Sequence, residues 1–261
     1  MNIEFIKQDK EKNKSTFLVK DIDASFANAL RRIMLEEVPV MAIEDVEIRK
    51  NNSVLYDEMM THRLGLVPLK TDLKSYNLPE ECSCKGEGCA KCQLKMVMKV
   101  KGACNVYASD IDSQDPKVKP VHPKMLINKL MKGQEIELEA TAVLGKGKEH
   151  MKWSPGLAYY MYEPKITVNN NSNKFEEFKD KYPPQVMENG KIKKELINTS
   201  ELINACDGIC EDIVKVEYNE RNFLFTIESW GQLGAKEIAK TAAEILEAKS
   251  EDFVEKAKAL K

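Results

Sequence analysis

No run of about 18 consecutive apolar residues, the length a membrane-spanning helix needs, occurs in the 261 residues. No membrane association is expected. The first residues, Met1-Asn2-Ile3-Glu4-Phe5-Ile6-Lys7, alternate apolar and polar side chains and lack both the long apolar core and the small-residue cleavage site of a secretory leader. A cytoplasmic location is the expectation. Excess charge is missing too: 40 basic against 42 acidic residues leave a net −2. The chain as a whole therefore has no electrostatic footprint for tight, phosphate-neutralising contact with nucleic acid, and direct sequence-specific DNA binding is not expected. Internal repeats and low-complexity tracts are absent.

Catalytic motifs are equally scarce. His62 and His150 have Glu58 and Glu149 close in sequence, but no GxSxG nucleophile motif accompanies them, so packed or interface histidines are the better reading. The block Gly145-Lys146-Gly147-Lys148-Glu149-His150-Met151-Lys152-Trp153 offers glycines and lysines to an anion yet lacks the GxxxxGK[ST] spacing of a phosphate loop. A basic surface loop that docks onto another protein fits it better. No dense aspartate cluster of the kind that aligns magnesium on phosphates is present. The chain is expected to catalyse nothing by itself.

What is present is ample apolar material, 43% of residues, in a length that suits one large domain or two to three small ones. Ile3 and Phe5, the charged turn Asp9 to Lys14 and the run Phe17 to Val19 read as a hairpin. Asp23 or Ser25 can cap a helix whose apolar positions Phe26, Ala29, Leu30, Ile33 and Met34 recur at spacings of three and four before Pro39. Further on, Val214, Val216 and Tyr218 alternate with polar residues, Asn219 to Asn222 reads as a turn, and Phe223, Phe225 and Ile227 resume the alternation as a second hairpin. From Gln232 to Leu260 a proline-free segment carries an apolar stripe of Leu233, Ile238, Ala242, Ile245, Leu246, Phe253, Ala257 and Leu260. As a continuous helix it spans roughly 40 Å. Two hairpins and a short helix cannot cover that stripe, so part of it is expected to face another chain; the alternative is a helix bent back over its own sheet. Strands at Val46 to Ile48, Leu94 to Val100, Cys104 to Ala108 and Ile136 to Leu144 suggest an inserted, mainly β domain. Residues from about Gly156 to Glu211 read as a third, weakly structured unit. The fold class is α+β.

The strongest local signal is Cys82-x-Cys84-x4-Cys89-x2-Cys92, which holds four of the seven cysteines. This spacing is poor for disulfides and good for a metal. Four thiolates, with Gly86 and Gly88 permitting tight reversal, can reach the corners of a tetrahedron around zinc. Lys85 and Lys91 would offset part of the negative charge. With every ligand position filled by cysteine, the site would be structural, not catalytic. The alternatives are unmetallated or partly oxidised surface cysteines, and an iron–sulfur cluster, against which the compact spacing argues. Cys206 and Cys210 are too few for a second site and read as ordinary buried or half-buried thiols.

The blocks Asn28-Ala29-Leu30-Arg31-Arg32-Ile33-Met34-Leu35-Glu36-Glu37-Val38-Pro39, Ala42-Ile43-Glu44-Asp45-Val46, Tyr56-Asp57-Glu58 and His62-Arg63-Leu64-Gly65-Leu66-Val67-Pro68-Leu69 resemble one family of RNA polymerase subunits, in particular its archaeal branch. The same family includes the bacterial alpha amino-terminal region and the third-largest eukaryotic polymerase subunit. The order of the blocks, the four-cysteine loop, the segment Gly145 to Trp153 and the closing helix carry the resemblance over nearly the whole chain.

The resemblance implies a discontinuous dimerisation domain, an antiparallel sheet with two helices, made from about 1–38 and 212–261. It implies a mainly β insert domain at 39–155 and a small third domain at 156–211. It also implies a non-catalytic assembly subunit of DNA-directed RNA polymerase. The partner would be subunit L, packing on Phe26, Leu30, Ile33 and Met34 and on a carboxy-terminal stripe that includes Ile238, Ala242, Ile245 and Leu246. Asn28, Arg31 and Arg32 become candidates for contact with a large catalytic subunit, a solvated helix edge being the alternative. Subunit N and a large-subunit segment are the other neighbours it suggests. Many archaeal members carry a ferredoxin-like third domain with a CxxCxxCxxxC run, of which only Cys206 and Cys210 stand here. The domain is read as degenerate, and no iron–sulfur cluster is expected. A free-standing zinc-containing interaction adaptor is one rival function; a hydrolase using His62, His150 and the cysteine loop is another.

Overall fold

The computed structural model describes residues 1–260. In chain order its elements are β1 (Asn2–Asp9), β2 (Lys14–Lys20), α1 (Ala24–Glu36), β3 (Val40–Asn51), α2 (Asp57–Gly65), β4 (Gln93–Lys101), β5 (Cys104–Tyr107), β6 (Ile111–Ser113), β7 (Leu126–Leu130) and β8 (Glu135–Gly145). There follow β9 (Gly156–Val168), α3 (Phe175–Phe178), β10 (Met187–Glu188), β11 (Lys191–Ile192), α4 (Ser200–Cys206), β12 (Val214–Ser229) and α5 (Ala235–Ala259). Antiparallel sheets with separate helices make this an α+β protein.

One sheet has the order β1-β2-β12-β9. The hairpin expected from Ile3 and Phe5 is there: Asp9 Oδ1 accepts from the N–H groups of Glu11 and Lys12 at 3.1 and 3.2 Å, and Asn13 takes a left-handed φ of 49° in its turn. The second hairpin is not. Val214–Ser229 is one uninterrupted strand of 16 residues. Asn219 to Asn222 contains neither glycine nor proline and has no positive φ. Its polarity marks an exposed stretch of strand, not a reversal.

The chain divides into two compact units, one of 1–4, 18–24 and 160–224, the other of 5–17, 25–159 and the residues from 225 on. In the larger unit, α1 ends where the N–H groups of Glu37 and Val38 turn back to Ile33 O at 3.0 and 3.2 Å, ahead of Pro39. The sheet β3-β8-β4-β6 then supplies the main core. Met41 and Ile43 of β3, Leu94, Met96 and Met98 of β4 and Ile136, Leu138, Ala140 and Ala142 of β8 turn one face inward, against Met60 and Leu64 of α2 and Ile127 and Leu130 of β7. The period-two alternation along β4 decides which face is buried. Its outward lysines pair across the strands, Lys99 with Glu137 at 2.8 Å and Lys95 with Glu139 at 3.2 Å.

The smaller unit is more ordered than its sequence suggests. Ile166, Phe175, Tyr182, Val186, Ile192, Ile197, Ile203, Cys206, Ile213 and Val214 form a core of their own. Asn170 clamps β11 by donating to Ile192 O at 3.0 Å and accepting from the Ile192 N–H at 2.8 Å, and the Thr199 side chain caps α4 by accepting from the Leu202 N–H. Its elements are too short to show a period in sequence, which is why the unit reads as loose there.

Helix α5 starts later than the apolar stripe because its N-cap, Gly234, is extended at φ −70° and ψ 146°; a turn with Gly231 at φ 93° precedes it. The Ser229 hydroxyl fixes that turn, accepting from the Gly231 N–H at 2.9 Å and donating to Leu233 O. No helix is long and apolar enough to cross a membrane among the described residues.

Candidate functional site

The four-cysteine loop lies immediately before β4. Two chain reversals build it: the Lys85 N–H donates to Cys82 O at 2.9 Å, and the N–H groups of Cys92 and Gln93 both donate to Cys89 O at 2.9 Å. Lys85, Gly86 and Gly88 take left-handed φ values of 53°, 85° and 93°, which the two glycines adopt without strain. The sulfurs of all four cysteines lie within 4.8 Å of one another. Cys82 to Cys89 and Cys84 to Cys92 measure 3.5 Å, and Cys89 to Cys92 measures 3.8 Å.

Those separations decide what the loop can do. A disulfide needs sulfurs about 2.05 Å apart, and all seven cysteines are free thiols. Four sulfurs each about 2.3 Å from one ion, at tetrahedral angles, would stand about 3.8 Å apart. The loop is thus pre-shaped for one metal ion and compatible with zinc. Its thiols already differ in acidity. Backbone N–H bonds, that of Gly88 first, hold Cys84 down at about 6, whereas burial pushes Cys92 up to about 12. Cys82 and Cys92 are buried and Cys84 and Cys89 half-buried, so the site has an inner wall and a solvent side.

The helix residues singled out from sequence divide by depth. Leu30, Ile33 and Met34 of α1 and Ile238 and Ala242 of α5 are buried within the chain. Phe26, Ile245 and Leu246 are half-buried. Beyond Leu246 every residue of α5 is exposed, with Phe253 72% and Val254 48% accessible, and Leu260, just past its end, is 87% accessible. Val254 escapes the sequence reading because it stands beside the stripe, not on it. Lys249 forms an ion pair with Glu37 at the end of α1 just where that exposed half begins.

Asn28 and Arg31 act as a pair on α1, the guanidinium donating to Asn28 Oδ1 through Nε and Nη2 at 3.2 and 2.9 Å. Arg32 is held by Glu36 at 3.1 Å. The glycine–lysine block does not form an anion cradle. A Cβ on Gly147 would stand 2.1 Å from Leu35 O, and one on Gly145 would stand 2.4 Å from the Trp153 ring. The Lys148 N–H donates to Glu36 O at 2.8 Å, while Lys152 lies 4.3 Å over the Trp153 ring, bonds Ile43 O and pairs with Glu44. The loop is therefore fastened to its own chain. His62 and His150 are exposed, not packed. Cys206 is buried, which raises its pKa, and Cys210 is half-buried, as ordinary thiols would be.

A family model described as the RNA polymerase Rpb3/RpoA insert domain matches residues 46–156, the stretch that contains the cysteine loop and most of the β3-β8-β4-β6 sheet. A DNA-directed RNA polymerase subunit Rpo3 from Methanosphaera stadtmanae is 37% identical over 268 residues, covering 97% of each chain. The chain belongs to the Rpo3 family of DNA-directed RNA polymerase subunits. Other Rpo3 proteins, from Archaeoglobus fulgidus and Methanosarcina acetivorans, are 38% and 36% identical over 92% and 91% of this chain and 92% of their own lengths. As an Rpo3-family member it is part of a transcribing complex and partners other polymerase subunits.

Proposed function

We propose that the chain is a non-catalytic assembly subunit of DNA-directed RNA polymerase that pairs with subunit L and docks the large catalytic subunits and subunit N, in the cytoplasm and without direct sequence-specific DNA contact. The observation that carries this reading is the second half of α5, exposed on every side and bearing Phe253, with Leu260 exposed just past its end. Large apolar side chains held out on a regular helix favour a partner's surface. In this reading the chain ends form the dimerisation domain, 39–155 the insert and 156–211 the third domain, which holds no iron–sulfur cluster. Half-buried Phe26, Ile245 and Leu246 join the exposed residues in contact with L. Buried Leu30, Ile33, Met34, Ile238 and Ala242 set the shape of the face from beneath.

Asn28, Arg31 and Arg32, on the outer side of α1, are offered to a large subunit. Arg31 is pre-oriented by Asn28 for a planar acceptor. Zinc in the four-cysteine loop would act as a cross-link that fixes the start of β4; the sulfur separations fit it.

Coexpression with subunit L followed by mass measurement tests the pairing. A one-to-one complex is expected, and Phe253→Asp should abolish it while leaving the chain folded, because that side chain supports nothing within its own chain. Leu30→Glu would be a poor probe: it would place an unpaired charge in the interior and unfold the unit. A wild-type chain that elutes alone beside L defeats the reading.

A further inference from the structure

We propose that an open cavity of about 500 Å³ at the start of α5 is a carboxylate-binding site, and that it takes an aspartate or glutamate side chain of a neighbouring polymerase polypeptide. The helix begins without a side-chain cap, and the N–H groups of Ala235, Lys236 and Glu237 have no acceptor among the described residues. The backbone of Gly234 suits a capping serine or aspartate, and a Cβ there would meet no atom within 4 Å. The space over the helix start is therefore free, and Gly234 and Glu237 line it.

A second observation points to the same place. Gln232, also in the cavity wall, is only 4% accessible, yet its carboxamide makes no hydrogen bond among the described residues, and Oε1 is sealed from solvent without a donor. Its backbone is pinned, since Gln232 O accepts from the Thr71 N–H at 3.0 Å. With Oε1 turned inward, the NH2 end of the amide is left for an acceptor in the cavity.

Charge selects that acceptor. Lys70, Lys74 and Lys117 share the wall with Asp72 and Glu237, which leaves one positive charge over. Lys117 is already held by Asp72 at 2.9 Å, whereas the side chains of Lys70 and Lys74 have no partner among the described residues. A monoanion balances this wall and the helix end attracts it; a phosphate dianion would leave an excess of negative charge beside Glu237. A lone carboxylate held by one helix end, an amide and two exposed lysines binds weakly, so filling the cavity needs the high local concentration that an assembled neighbour supplies. This proposal does not depend on pairing with subunit L.

The test uses the full chain with sodium acetate as the probe, read at constant ionic strength from the backbone amide NMR shifts of Ala235, Lys236 and Glu237. Acetate at about 1–100 mM should move these amides saturably. The double variant Lys70→Ala/Lys74→Ala should bind it about threefold or more weakly, and Glu237→Gln more tightly. Gly234→Asp, which brings its own carboxylate to the helix start, should abolish binding. Gln232→Met should melt higher, having lost an unbonded buried amide, and bind acetate less well; undiminished binding by that variant overturns the part given to Gln232. Amides that stay still, or move alike in the lysine variant, overturn the site. Inorganic phosphate or a short oligodeoxynucleotide that binds there more tightly than acetate overturns the carboxylate assignment. When wild type and the lysine variant compete for incorporation into the polymerase, the variant should be depleted severalfold. Equal incorporation overturns the neighbouring polypeptide as the source and leaves a free carboxylate as the ligand.

Discussion

Gly147 shows how a single position can be misread when only its neighbours in sequence are considered. Between two lysines it suggests an anion loop, yet the space a Cβ would need is filled by the Leu35 carbonyl at 2.1 Å and the Glu36 Cα at 3.3 Å. Those are backbone atoms, which cannot rotate away. Gly147→Ala should thus lift the loop off the end of α1, break the Lys148 N–H bond to Glu36 O and cost about 1–3 kcal/mol, the usual range for forced overpacking. Urea unfolding would measure it; a midpoint unchanged from wild type would mean that the close approach is not real. Lys152 is a second case. In sequence its charge looks available to a partner, but it is consumed by Ile43 O, Glu44 and the Trp153 ring. What a glycine or lysine does here is fixed by residues over a hundred positions away, which no local pattern reports.

Elements are legible in proportion to their length and period. Leu94, Met96, Met98 and Val100 mark β4 because alternation over nine residues is unambiguous. Ala29, Leu30, Ile33 and Met34 mark α1 for the same reason at the helical period. The 16-residue strand β12 reads as two because Asn219 to Asn222 carries turn-forming residue types, and only pairing within a sheet keeps such a stretch extended. The four-cysteine loop is the most readable site, since its spacing alone constrains the sulfurs. The burial of Leu30 and Ile238 is not readable, because a stripe shows that a face is covered without showing by what. Helix α5 makes this division within one element: Ile238 and Ala242 are buried and nothing past Leu246 is. A lone helical half of that kind has little beyond its own hydrogen bonds to hold it. Amides from about Ser250 on should exchange with solvent much faster than those around Ala242, and should slow on binding of subunit L. Equal protection along the free helix would contradict this.

Across the whole molecule, stability is drawn from hydrophobic cores, the two described above among them, and a metal held by the cysteine loop would add to them in the larger unit. Without a metal the loop has four thiols crowded within 4.8 Å and little apolar burial apart from Cys82 and Cys92. Binding an ion there is coupled to folding, since the loop must already be closed to offer four ligands. A chelator should accordingly lower the melting temperature, by about 2–4 °C for each 1 kcal/mol of stabilisation lost. Zinc should restore it, and Cys84→Ser should reproduce the loss. The effect should shrink at acid pH, where protons compete for the sulfurs and leave less metal-derived stability to lose. Metal analysis finding no stoichiometric ion, with melting indifferent to chelator, would leave the loop without this role.

Order of synthesis gives the bare end of α5 one more meaning. Residues 247–260 leave the ribosome after every described strand has been made, and they contribute no buried side chain to any core. Nascent protein can consequently finish folding before the surface that recruits its companion exists. Chains interrupted short of Phe253 would be well folded yet unable to enter the enzyme, so assembly would admit only molecules whose translation had run through that point.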